Sequence, residues 1–165
     1  MTADPTPPTT PPPTPPAPPA EASTSTSLSP ARIVAGLGAI VTVVSIFLNW
    51  AHVSGGQLTA KGSDVPFDFL WDKHTTSSDP SLVLPLLVAA LLIGLGVLLP
   101  TARLAGIIGG VLVIAVAVVY CIQAQGLIDD GGTNLSLTDF ISTGVYVAFV
   151  GGILGLVGAA IPSKT

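Results

Sequence analysis

Charge is what this chain has least of. Only 8% of its 165 residues are Asp, Glu, Lys or Arg, against about 25% in ordinary soluble domains, and 49% are hydrophobic. A polypeptide so poor in ionic groups cannot cover itself with a water-facing surface. Basic residues are the scarcer sign, five against nine acids for a net charge of −4. No cationic face is therefore available to neutralise phosphates, which excludes nucleic acid as a main partner. The one cysteine, Cys121, cannot close an intrachain disulfide, and no second thiol or histidine cluster gives it zinc-type spacing. It reads as a small packing residue near a helix end, with an intermolecular bridge as the alternative. A Gly-rich phosphate loop, a nucleophile elbow and a cofactor motif are also missing. The expectation is no enzyme, with no catalytic residue, no cofactor and no metal.

Proline is abundant but confined. Residues 1 to 30 hold eleven of the sixteen prolines, in runs such as "DPTPPTTPPPTPPAPPA". Such a segment has almost nothing to bury and reads as a disordered tail of polyproline II character. At about 3.1 Å per residue its Pro-dense part reaches roughly 45 Å. PxxP spacings such as Pro5 to Pro8 and Pro12 to Pro15 formally suit aromatic-groove domains, although any tract this rich in proline contains them by chance.

The apolar residues fall into four long blocks: about 31–50, 82–99, 104–122 and 137–161. Each is close to the ~20 residues that cross ~30 Å of hydrocarbon, and none carries a charged side chain in its interior. The first block is read as a span rather than a signal peptide, because a thirty-residue Pro-rich leader is the wrong n-region and "NWAHV" is a poor cleavage site. Asp79-Pro80 reads as an N-cap followed by a first-turn proline, and "SLTD" from Ser136 as a capping box opening the fourth helix. The expected fold is thus an all-α membrane protein: a tail over 1–30, four antiparallel helices over 31–161 with outer loops at 51–81 and 123–136, and a short end at 162–165. Arg32, Arg103 and Lys164 fall on one side, against Lys61 and Lys73 on the other, so the positive-inside rule places both termini in the cytoplasm. Seven of the nine acids then lie outside.

The first outer loop predicts a small cap. Trp50 stands where the first helix should meet headgroups. "AHVS-GG-QLTA" predicts two strands joined at Gly55-Gly56. "SDVPFDFLWDKH" predicts a short interfacial helix with Pro66 in its first turn, presenting Phe67, Leu70 and Trp71 at i, i+3 and i+4 to the bilayer or a partner. Asp64, Asp68 and Asp72, with His52 and His74 near them, lack motif-grade metal spacing and read as solvated. Asn134-Leu135-Ser136 matches a glycosylation sequon, but the capping box accounts for Ser136 better.

Two helix faces remain. Gly144, Ala148, Gly151, Gly152, Gly155, Gly158 and Ala159 recur at helical spacing in the fourth span, and Gly106 with Gly110 forms a GxxxG in the third. Small residues let helices approach closely in lipid, where no hydrophobic drive brings them together. These faces either pack within the chain or dock on another membrane protein. Gly38, Thr42, Ser45 and Asn49 form a polar stripe on the first span, a solute path or a set of hydroxyls bonded back to their own helix. No ionisable residue sits at membrane depth, which argues against a transport core.

The stretches "IFLNWAHVSGG", "FLW", "LLPTARLAG" and "GVYVAFVGGILGLVGAAIP" resemble small four-span envelope proteins of actinobacteria, mycobacteria in particular, over roughly residues 31 to 161. The resemblance implies a cell-membrane location and a supporting role, as in accessory subunits of larger envelope machines such as the Mce lipid importers. It carries over no site residue. The function expected is a non-catalytic accessory or assembly subunit of a larger membrane complex, with membrane lipid around it and homo-oligomers as a further possibility. The alternatives are a self-sufficient small channel or lipid-handling protein using Thr42, Ser45 and Asn49, and an extracytoplasmic sensor signalling through the tail.

Overall fold

The computed structural model describes residues 29–53, 58–72, 74, 80–99, 102–131 and 136–161. The Pro-rich tail, the Gly55-Gly56 turn, Lys73, Asp79, Pro100-Thr101, the Asn134-Leu135 part of the sequon and Lys164 lie outside them. The described chain is mostly helical: α1 Pro30–Phe47, α2 Val83–Leu98, α3 Arg103–Asp130, α4 Leu137–Phe140 and α5 Thr143–Ala160, with strands β1 Asn49–Val53 and β2 Leu58–Lys61 and a single 3-10 turn, Phe67–Leu70.

Three helices, α1, α3 and α5, are long and apolar enough to cross a membrane. At 1.5 Å per residue the 18 residues of α1 and of α5 each run about 27 Å. The 16 residues of α2 give about 24 Å. The third helix has 28 residues, about 42 Å, well beyond the end expected at residue 122. What carries it on is a stripe at i, i+4, i+8, where Tyr120, Ala124 and Ile128 stay buried past the last long apolar run. Most of the segment expected as a second outer loop is therefore helix, and Cys121 lies more than two turns from a helix end.

The fourth span is shorter than its apolar run. The Ser136 capping box is present in both halves, but it opens only the one-turn α4. At Ile141 the backbone turns extended, with φ −73° and ψ 130°. The reason is pairing elsewhere: Ile141 bridges Ala51 of β1, and the Ser142 N–H donates to the Trp50 carbonyl at 3.0 Å. Helix α5 begins only after that crossing. A similar diversion delays α2. Pro80 is not its first residue, because the Phe67 N–H donates to the Pro80 carbonyl and the Leu82 N–H to the Val65 carbonyl. The helix starts at Val83, and its first-turn proline is Pro85, where the missing N–H costs nothing.

Helices α1, α2, α3 and α5 pack side by side in that ring order, with α1 closing onto α5, while the diagonal pairs hardly touch. Their glycine contacts run antiparallel, Gly38 meeting Gly155 and Gly96 meeting Gly106. One end of the ring carries the β1–β2 hairpin, with Ala51 opposite Ala60 and His52 opposite Thr59. The other end gathers Arg32 at the start of α1, Arg103 at the start of α3 and the last residues of α5. We call these the hairpin end and the arginine end. Large aliphatic side chains cover the outer faces, among them Ile40, Leu91, Leu98, Leu104 and Ile122.

Candidate functional site

The tightest feature of the fold is the seam between α1 and α5. A Cβ at Gly38 would lie 2.5 Å from the Gly155 N, one at Gly158 would lie 2.4 Å from the Ala35 N, and one at Gly151 would meet Thr42 Oγ1 at 2.6 Å. The two backbones touch there, and only glycine permits it. Other small residues do the same on other seams. Gly110 faces the Gly152 carbonyl and Leu156, Gly152 faces Ile114 and the Gly110 carbonyl, and Gly106 faces Ala159 and Gly96. Gly155 also receives Ile93 of α2, and Ala148 is fully buried. The candidate residues Gly106, Gly110, Gly144, Ala148, Gly151, Gly152, Gly155 and Ala159 are thus covered by other parts of the chain, Gly144 by Trp50 of β1 and the others by helices, a geometry that favours packing within the chain over docking on a partner.

The polar stripe is divided. Thr42 and Ser45 are fully buried under α5. The Thr42 hydroxyl donates to the Gly38 carbonyl at 2.9 Å and the Ser45 hydroxyl to the Thr42 carbonyl at 2.7 Å. Both hydroxyls are returned to their own helix, so neither is offered to a solute. Asn49 is not on the helix at all; it opens β1 and is exposed.

Trp50 corrects the expectation of an interfacial anchor. It is fully buried, its indole N–H donates to the Ser45 carbonyl at 2.8 Å, and its ring lies edge-on to Tyr120 with centroids 5.1 Å apart. Two glycines make room for it. A Cβ at Gly144 would come within 2.4 Å of the ring, and one at Gly62 within 2.7 Å. The first strand of the hairpin therefore turns Trp50 inward, where it plugs the ring of helices.

The cap face of Phe67, Leu70 and Trp71 is likewise split. With three residues per turn, the 3-10 turn sends Phe69 and Leu70 into the core and leaves Phe67 half-buried. Trp71 is 62% exposed and rests edge-on against Phe67 at 4.6 Å. The extended α3 holds this turn from beneath, the Gln123 side-chain amide donating to the Leu70 carbonyl at 2.9 Å. Around it, Asp64 accepts from Ser63 and from the Lys61 N–H, and Asp72 accepts from the His74 N–H. The His74 imidazole lies 3.6 Å from Asp130. Among the described residues, no group of three His, Cys, Asp or Glu is gathered as a metal would need. At α4, the Ser136 hydroxyl and then its backbone N–H donate to Asp139, holding that carboxyl below its ordinary value.

A feature at the arginine end escaped the sequence reading. Arg103 donates from Nε to the Ala159 carbonyl at 2.6 Å and from a terminal nitrogen to the Ala160 carbonyl, capping the C-terminus of α5. Beside it lies a cavity of about 40 Å³ lined in part by Ser29, Arg32, Gly96 and Arg103. The signal was topological: an up-and-down order of four helices brings the ends carrying Arg32 and Arg103 together with the last turn of α5.

No family model, no curated protein and no solved structure matches the chain. Its role has to be read from its own geometry.

Proposed function

We propose that the chain is a multi-pass protein of the bacterial cell membrane, crossing four times, and that it serves as a non-catalytic accessory or assembly subunit of a larger membrane complex. Both termini are cytoplasmic in this reading. It is supported by the distribution of charge: all six described acids, Asp64, Asp68, Asp72, Asp129, Asp130 and Asp139, belong to the hairpin end, and the two described arginines to the other. In the proposed topology α2 crosses despite its 16 residues, because a short span is accommodated by local thinning of the bilayer.

The single observation that carries the role is where the polar and small groups are directed. Gly38, Gly106, Gly110, Gly151, Gly152, Gly155 and Gly158 face neighbouring helices, and the Thr42 and Ser45 hydroxyls bond back to carbonyls of their own helix. The outer faces of the helices present mainly aliphatic side chains, with Phe47, Tyr146 and Trp71 also exposed and an acid-rich cap at the hairpin end. Among the described residues, such a build offers contact surfaces. The same inward closure of Thr42 and Ser45 favours this role over the channel. Purification of the tagged full chain in mild detergent tests the proposal. Stoichiometric recovery of larger membrane subunits supports it, and recovery of the chain alone counts against it. A Cys121→Ala background carrying either Thr59→Cys or Ser163→Cys tests the orientation: an impermeant maleimide added to whole cells should label the first and spare the second.

A further inference from the structure

The arginine end holds a second arrangement that packing does not explain. Arg32 comes from the first turn of α1 and Arg103 from the first turn of α3, and both line the same cavity. The side chain of Arg32 makes no hydrogen bond within the described residues, whereas Arg103 is fixed by the Ala159 and Ala160 carbonyls. A guanidinium has five donors in a rigid fork, so Arg103 still presents donors after capping α5. In the wall of the cavity the Ser29 hydroxyl is shut off from solvent and has no hydrogen-bond partner among the described residues. The partial charges of the helix ends there nearly cancel, positive at the start of α1 and negative at the end of α5. What remains is the charge of two arginines, with no described acid at that end.

A separate open groove lies on the outer side of the contact between α1 and α2. One turn beyond Ala35, which lines the cavity, Ala39, Ile40, Val43 and Val44 face Leu87, Ala90 and Leu91 across a hollow of about 430 Å³. Its walls are almost wholly apolar. A cationic pocket at one end of a helix seam, with a separate apolar trough on its outer side, has the layout of a phospholipid.

We propose that this seam binds an anionic phospholipid, its phosphate at the mouth of the pocket between Arg32 and Arg103 and one acyl chain in the groove beside Ile40 and Leu91. The pocket takes phosphate oxygens rather than a whole headgroup, given its size. The guanidinium groups supply charge-assisted bonds to them. The inference rests on the membrane placement proposed above and not on the accessory role.

The test uses the full chain in detergent, titrated with phosphatidylglycerol or phosphatidylcholine and followed by native mass spectrometry. Phosphatidylglycerol should be retained and phosphatidylcholine lost. Arg32→Gln, which removes no hydrogen bond of the fold, should weaken phosphatidylglycerol binding about tenfold. Ile40→Trp, which fills the groove, should weaken it as well, and Lys61→Gln at the opposite end should leave it unchanged. Equal retention of the two lipids, or an equal loss with Lys61→Gln, would overturn the site in favour of general attraction between charges. Full protection by inorganic phosphate alone would overturn the lipid as occupant. An Arg32→Gln protein that has lost its near-ultraviolet circular dichroism is replaced by Arg32→Lys, for which undiminished binding counts against the guanidinium fork. Lipid selectivity without co-purifying subunits would sink the accessory role and leave this site standing.

Discussion

Two glycines of α1 offer a matched experiment on the seam that closes the ring. Gly36 has nothing within 4 Å of where its Cβ would stand, while a Cβ at Gly38 would sit 2.5 Å from the Gly155 N and 2.9 Å from the Gly151 carbonyl oxygen. Both residues are mid-helix, so replacement by alanine brings each the same intrinsic gain of about 0.5–1 kcal/mol. Gly36→Ala keeps that gain. Gly38→Ala pushes a methyl against backbone, which has no rotamer to move aside. Ordinary contact begins near 3.4 Å, so the helices must part by about 1 Å. A gap of that size forfeits a quarter to a half of the dispersion energy of each facing atom pair, and overpacking of this kind costs about 1–3 kcal/mol. The expected order of stability is Gly36→Ala above the parent, and Gly38→Ala below it by roughly 1–2 kcal/mol once the helical gain is offset. Equilibrium unfolding in mixed micelles of mild detergent and dodecyl sulfate, followed by far-ultraviolet circular dichroism, reads the difference. Indistinguishable midpoints for the two variants would refute the backbone contact between α1 and α5.

Further outcomes follow from other parts of the structure. Trp71→Phe should leave an emission spectrum from Trp50 alone that is blue-shifted and resists iodide, whereas Trp50→Phe should leave a spectrum that iodide quenches; the reverse pattern would remove Trp50 from the interior. Thr42→Val should change unfolding free energy by less than about 1 kcal/mol, since the lost bond lies within one helix, and reconstituted protein should pass no solute before or after Asn49→Leu. Flux abolished by Asn49→Leu would restore the channel. Because the folded Asp139 carboxyl is depressed by Ser136, the cap it makes is fully present above the ordinary carboxylate value and is lost as pH falls through the lower folded value. Amide protection at residues 137–140, taken relative to the intrinsic exchange rate at each pH, should fall in that acid window, and Asp139→Asn should abolish that change in protection.

What local chemistry encodes was legible. The Ser136–Asp139 capping box and the pairing of the strands on either side of Gly55-Gly56 need only neighbouring residues, and both kinds of element appear. The small-residue faces were visible as contact surfaces, because their spacing is a property of one helix. Which helix fills each face was not visible, since that depends on the order in which the helices surround one another. The misplaced boundaries share one cause. Residues 141–142 and 80–82 look helical by composition, yet their backbone groups pair with residues 50–51 and 65–67, far away in the chain. Trp50 was misplaced for the same reason: a tryptophan at the end of an apolar run has the composition of an interfacial anchor, and only the tertiary gaps at Gly62 and Gly144 turn it inward. The length of α3 is encoded locally, since Tyr120, Ala124 and Ile128 continue the helical period through polar neighbours.

The seam joins the earliest helix of the described chain to the latest, and this imposes an order on biogenesis. When α1 leaves the ribosome its intended neighbour does not yet exist. At about 5–20 residues per second the wait for α5 is on the order of ten seconds, during which Gly38 and Thr42 face lipid or whatever helper occupies that slot. Closure of the ring waits for α5. A chain that stops short of Thr143 lacks the piece that shuts the ring, and its first helix keeps an open flank that quality-control proteases or an insertion chaperone can recognise.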